Sequence, residues 1–170
     1  MIRTRWSLAL VVVGSMLAVD RLARADNDSN TLHARLGGYD ETPSVSSTGS
    51  GEFKSRISQD ETAIDYELTY EDLEGNTILF SHIHLGQRHI AGGVAAFLCG
   101  GGGKPACPPS PGRVRGRITA ADVVGPAGQG LAAGELDELI RAMRSGAAYA
   151  NVHTDKHPSG EIRGQIRDGD

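Results

Sequence analysis

Ile64-Asp65-Tyr66-Glu67-Leu68-Thr69-Tyr70 places Ile64, Tyr66, Leu68 and Tyr70 on one side of an extended chain and Asp65, Glu67 and Thr69 on the other. Successive side chains of a strand point to opposite faces, so this stretch is predicted to be a half-buried antiparallel strand. Glu74-Gly75-Asn76 then turns the chain. Weaker alternation recurs at residues 32–36, 53–57, 78–85, 94–99, 114–118, 149–154 and 162–166. Glycine, proline, asparagine or aspartate separates these runs, a cadence that predicts about seven or eight strands in two layers. The fold class read from this pattern is all-β, an antiparallel β-sandwich.

One segment breaks the cadence. Leu136, Leu139, Ile140 and Met143 recur at helical spacing, which predicts one inserted short α-helix over about residues 134–145. Glu135, Asp137 and Glu138 fall in its first turn and Arg141 and Arg144 in its last, as the helix dipole favours. Gly146 is a natural stop. The apolar stripe is expected to cover an open end or face of the sandwich.

Composition narrows the function. The chain has 170 residues, 23 of them glycine, with 5% aromatic and 39% apolar residues. That describes one turn-rich domain with a lean core. Seventeen basic residues against 21 acidic ones give a net charge of −4, which offers nucleic acid no general attraction.

The start of the chain reads as a targeting segment. Arg3 and Arg5 precede an apolar run from Leu8 to Val19, and Ala23-Arg24-Ala25 supplies small residues for a signal peptidase. The run has about a dozen residues where a spanning helix needs about 20, so residues 1–25 are expected to be a cleaved signal peptide rather than a membrane span. Residues 26–31 are polar and read as a disordered leader, and residues 32–167 as the folded domain. Without residues 1–25 the chain keeps 13 basic and 20 acidic residues, a charge of −7. The expected location is secreted or periplasmic. In an oxidising compartment Cys99 and Cys107 are expected to form a disulfide across a glycine-rich loop, their spacing matching no zinc motif.

His82 and His84 flank Ile83 on a predicted strand, so both imidazoles leave one face about 6.5–7 Å apart along the backbone, close enough to chelate one ion. His153 is the candidate third donor if its strand lies beside the first, while His89 and His157 fall in loops. Three imidazoles suit copper or zinc. The competing reading is that these histidines only hydrogen-bond within a sheet face. Bound metal would be expected to leave below about pH 6, near the reference pKa of histidine.

Other patterns carry less chemistry. Arg113, Arg115 and Arg117 form a basic stripe, read as the solvated side of a strand, with an acidic glycan as the alternative ligand. The charges of Glu161-Ile162-Arg163-Gly164-Gln165-Ile166-Arg167 are expected to pair across strands. Gly100 to Gly103 are not followed by the lysine-serine or lysine-threonine pair of a phosphate loop, and no serine or cysteine sits in a nucleophile pattern. No catalytic residues are assigned, and the chain is expected not to be an enzyme.

Three blocks in order resemble the CHRD domain, the module repeated in chordin and found in single-domain exported proteins. The first is Leu36-Gly37-Gly38-Tyr39-Asp40-Glu41-Thr42-Pro43. The second runs His82-Ile83-His84-Leu85-Gly86, then Gly92-Gly93-Val94 and Leu98-Cys99. The third is Tyr149 to Thr154 followed by Pro158 to Ile166. The resemblance implies a secreted, immunoglobulin-like sandwich without an established enzymatic activity, hence a binding or structural module whose partner is an unidentified extracytoplasmic protein or glycan. The His-X-His strand also resembles the copper-binding strand of Cu/Zn superoxide dismutases, but that family's zinc loop and guiding arginine find no counterpart here.

Overall fold

The structure is a computed structural model that describes residues 30–169. The expected signal peptide and most of the expected leader lie outside the described residues. Among the described residues nine strands form: β1 Thr31–Gly37, β2 Ser50–Ile57, β3 Ile64–Glu71, β4 Ile78–Leu85, β5 Gly93–Cys99, β6 Gly112–Ile118, β7 Ala148–Thr154, β8 Ile162–Gln165 and β9 Arg167–Asp168. The helix α1 spans Leu136–Arg144. Thr31, assigned to the leader by its polarity, opens β1 and pairs with Arg56.

All pairings are antiparallel, in the order β5-β4-β7-β8-β1-β2-β3-β6, with the short β9 on β1. The all-β reading therefore holds. The layers β5-β4-β7-β8 and β1-β2-β3-β6 are joined at the Gly37–Arg163 pair, so one continuous sheet folds over on itself. Tyr66 Oη reaches from β3 to the Leu98 carbonyl on the edge strand β5 at 2.7 Å, tying the two layers together.

Alternation fixes the inner faces. Ile64, Tyr66, Leu68 and Tyr70 are all buried, as their spacing predicts, and face Leu32, Phe53, Ile83, Leu98, Val152 and Ile162 in one core. Leu136, Leu139, Ile140 and Met143 of α1 join the same core. Burying one such side chain contributes roughly 1.5–3 kcal/mol, which is what holds a nine-residue helix that would be marginal alone. Gly146, at φ 69°, ends it.

Cys99 and Cys107 are bonded, with Cα atoms 5.0 Å apart. Gly102 at φ 57° and Gly103 at φ 78° let so short a loop reverse. Arg115 pairs with Glu67, and Arg117 with Asp65 at 2.7 Å, each with its register partner on β3, so the basic stripe is the solvated side of a strand. The cross-strand pairing expected around Glu161 and Arg163 is a correction. Glu161 is fully buried and accepts from Ser47 Oγ, Thr154 Oγ1 and the Glu74 and Gly75 amides, while Arg163 points elsewhere. Glu161 thereby holds the β3–β4 turn against the β7–β8 loop. Among the described residues no helix is long and apolar enough to cross a membrane.

Candidate metal centre

The layer β5-β4-β7-β8 turns Ile83, Ala150 and Val152 inward. Its opposite face therefore carries Phe80, His82 and His84 from β4 and Tyr149, Asn151 and His153 from β7. The antiparallel register sets Phe80 opposite His153, His82 opposite Asn151 and His84 opposite Tyr149. His153 is thus diagonal to His82, and the three imidazoles share one patch. Residues 82 and 84 lie on the same side of their strand, as their spacing requires.

The donor atoms of His82, His84 and His153 lie within 4.8 Å of one another. His82 Nδ1 and His84 Nε2 are 3.3 Å apart. Two nitrogens bound tetrahedrally to one ion at about 2.05 Å are themselves about 3.3 Å apart, so this edge already has ligand spacing.

Hydrogen bonds set the tautomers. His84 Nδ1 donates to the Gly92 carbonyl at 2.9 Å, and His153 Nδ1 donates to the Pro158 carbonyl at 2.9 Å. A carbonyl only accepts, so both neutral rings carry their lone pair on Nε2, directed at the cluster. His84 Nε2 accepts from His82 Nδ1 when no ion is present. His153 Nε2 is buried and has no hydrogen-bond partner. Backbone anchoring of the far nitrogen is the arrangement that orients metal-bound imidazoles.

The rings are held by aromatic contacts. His82 lies between Phe80 and Phe97, at centroid distances of 4.9 and 4.5 Å. Tyr149 stacks on His84 at 4.7 Å with planes 3° from parallel, and the Arg163 guanidinium covers the Tyr149 ring at 3.4 Å. Arg163 also donates to the Gln87 and Ile90 carbonyls at 2.9 and 3.0 Å, fixing the β4–β5 loop that carries Gly92.

Burial keeps the rings neutral. It pulls His82 down to about 3, helped by the charges of His153 and His84, and His84 down to about 4 against the opposing bond to Gly92. His153 is lowered by the same desolvation. The lone pairs therefore stay available to a lower pH than that of a free histidine. Glu41, 6% exposed, is pushed up to about 7 by burial, opposed by the Thr42 amide and Arg163.

Of the remaining histidines, His89 is exposed in the β4–β5 loop, and His157 Nε2 sits 3.9 Å from the Glu74 carboxylate. Neither joins the cluster. The neighbours that sequence reasoning left out are Glu41, Tyr149, Asn151 and Arg163. Tyr149 and Asn151 had a signal, since they stand two and four residues before His153 and must share its face.

The fold and its displayed face define a two-layer antiparallel β module with a buried three-histidine cluster on an outer sheet surface. The model of the CHRD domain matches residues 32–166, and the chain belongs to that family. No curated protein matches the chain.

Proposed function

We propose that this chain is an exported, non-catalytic CHRD module that holds one copper or zinc ion through His82, His84 and His153. The observation that carries the reading is the buried, unpartnered Nε2 of His153, facing two other imidazoles. A histidine cluster kept for structure alone would satisfy that atom, because a buried unmatched polar group costs about 1–3 kcal/mol. An ion accepts all three lone pairs together, with His82 moving its proton to Nε2. The donor set contains no thiolate or carboxylate, which fits copper or zinc rather than calcium or magnesium. Export is supported by the leader-like residues 1–25 and by the Cys99–Cys107 bond, which suits an oxidising compartment.

Titration calorimetry of metal-free protein at pH 7.5 tests this. The expected result is one zinc or copper ion per chain, abolished by His84→Ala and by His153→Ala and unchanged by His89→Ala. Absence of uptake of either metal by the wild type overturns the proposal.

A further inference from the structure

The three rings of the cluster are not held alike. His84 and His153 each give an Nδ1 hydrogen to a backbone carbonyl, of Gly92 and of Pro158. Among the described residues no backbone carbonyl accepts from His82, whose Nδ1 is bonded to His84 Nε2 within the cluster. Packing positions the His82 ring, which stands nearly perpendicular to Phe97 at 4.5 Å and tilted on Phe80 at 4.9 Å.

Phe97 meets His82 because β5 is irregular. The two residues are register partners, and the register shifts just before His82 and again between Ile83 and His84. Bulges of this kind re-aim a side chain. Ala95, Ala96, Leu98 and Cys99 are buried, and Phe97 between them is half-buried against the histidine face.

The loop that the disulfide closes lies on the Phe97 ring. A Cβ on Gly101 would stand 2.5 Å from Phe97 Cε1 and one on Gly102 2.7 Å from Phe97 Cδ2, so glycine backbone is what fits there. Within the loop the Gly100 amide donates to the Pro105 carbonyl at 2.8 Å and the Lys104 amide to the Gly101 carbonyl at 2.9 Å. Lys104 Nζ reaches the Arg117 carbonyl and Asp122, at 2.7 Å each. Gly100 to Gly103 are four consecutive glycines, the residues with most conformational freedom to lose, and the Cys99–Cys107 bond is the covalent restraint that closes the stretch at both ends. Contacts thus run from the bond through the loop and Phe97 to His82.

We infer that the Cys99–Cys107 bond controls the metal site: closed, it holds the glycine loop on Phe97 and Phe97 on His82; open, it releases both and weakens the hold on the ion. This rests on the three-histidine reading and adds its regulation. Closure is a thiol–disulfide exchange with an external organic disulfide. One S–S bond forms between Cys99 and Cys107, the external S–S bond breaks, and the two thiol hydrogens end on the external sulfurs. An oxidising compartment sustains that exchange and the cytoplasm reverses it, so the exported chain gains its full affinity only after export.

A double-mutant cycle on the full protein tests the route, with Zn²⁺ affinity read by competition with a chromophoric chelator. Cu²⁺ takes its place if the wild type takes up copper alone. Replacing both cysteines by serine is expected to weaken the ion about 10-fold, the lower end for outer-shell changes, and Phe97→Ala to do the same. Combined, the changes are expected to weaken it about 10-fold in all rather than about 100-fold, because each removes the same link. A merely structural loss would add. In the metal-free protein the His82 ring-proton resonances, shifted by the Phe97 ring, should move toward free-histidine positions in the serine variant. Should the serine pair not fold, folded wild type and Phe97→Ala are compared after reduction with dithiothreitol and carbamidomethylation, which also keeps the thiols from binding metal. Affinity indifferent to the bond, losses that add, or unmoved His82 resonances overturn this inference and leave the three-histidine site standing. A disulfide-bonded wild type that binds neither zinc nor copper overturns the underlying reading, and this one with it.

Discussion

Acidifying the metal-free protein from pH 7.5 to 5.0 probes the buried histidines without any ligand. His82 and His84 are held at about 3 and about 4 in the folded chain, against 6.5 for the free group. Between those values the unfolded chain binds protons that the folded chain does not, so stability falls as pH falls. Each of these two rings costs about 2 kcal/mol over this interval, about 4 kcal/mol together. Glu41 has the opposite sign. Its folded value of about 7 lies above 4.5, so the folded chain takes up the extra proton, and acidification returns about 2 kcal/mol. The wild type should therefore lose about 2 kcal/mol, with His153 adding to the loss, whereas Glu41→Gln should lose about 4 kcal/mol plus the same addition. Urea unfolding with a chelator present, at the two pH values, measures both. A wild type as stable at pH 5.0 as at 7.5, or a variant that loses no more than the wild type, would refute the reasoning.

Other expected outcomes concern the scaffold. Leu139→Ala removes a fully buried side chain that docks α1 and should cost about 2–5 kcal/mol in chemical denaturation. Replacing both Cys99 and Cys107 by serine opens a loop of eight residues' separation and should cost about 2.5 kcal/mol, seen as a lower urea midpoint with little change in far-ultraviolet circular dichroism. Glu161→Ala leaves two hydroxyl and two amide donors without their acceptor and should cost about 3 kcal/mol or more, measured the same way. Zinc at 100 times its dissociation constant should raise the wild type's stability by about 2.7 kcal/mol and leave His153→Ala unchanged.

The parts of this structure that sequence reveals are those governed by local periodicity. β3 has one face in the core and one in water, so its alternation is plain, and α1 shows its stripe for the same reason. β7 is buried at all seven positions, covered by the core on one side and by loops on the other, and its pattern is correspondingly weak. The separation of 82 from 84 announces a shared face, whereas the place of His153 depends on β4 pairing with β7, a long-range contact that the expectation had to assume. Glu41 and Arg163 were out of reach. Glu41 arrives from a connection after β1, and Arg163 looks like a strand-surface charge until the β4–β5 loop is seen folded over it. The continuity of the two layers through the Gly37–Arg163 pair and the extra strand β9 likewise depend on tertiary pairing.

X-ray absorption at the zinc edge of the loaded wild-type protein bears most directly on the central claim that the outer face of β4 and β7 is a three-imidazole binding site. The account predicts three imidazole nitrogens at about 2.0–2.1 Å and no sulfur, with one imidazole lost in any ion retained by His153→Ala. A spectrum with one imidazole or none, or one unaltered by His153→Ala, would contradict it.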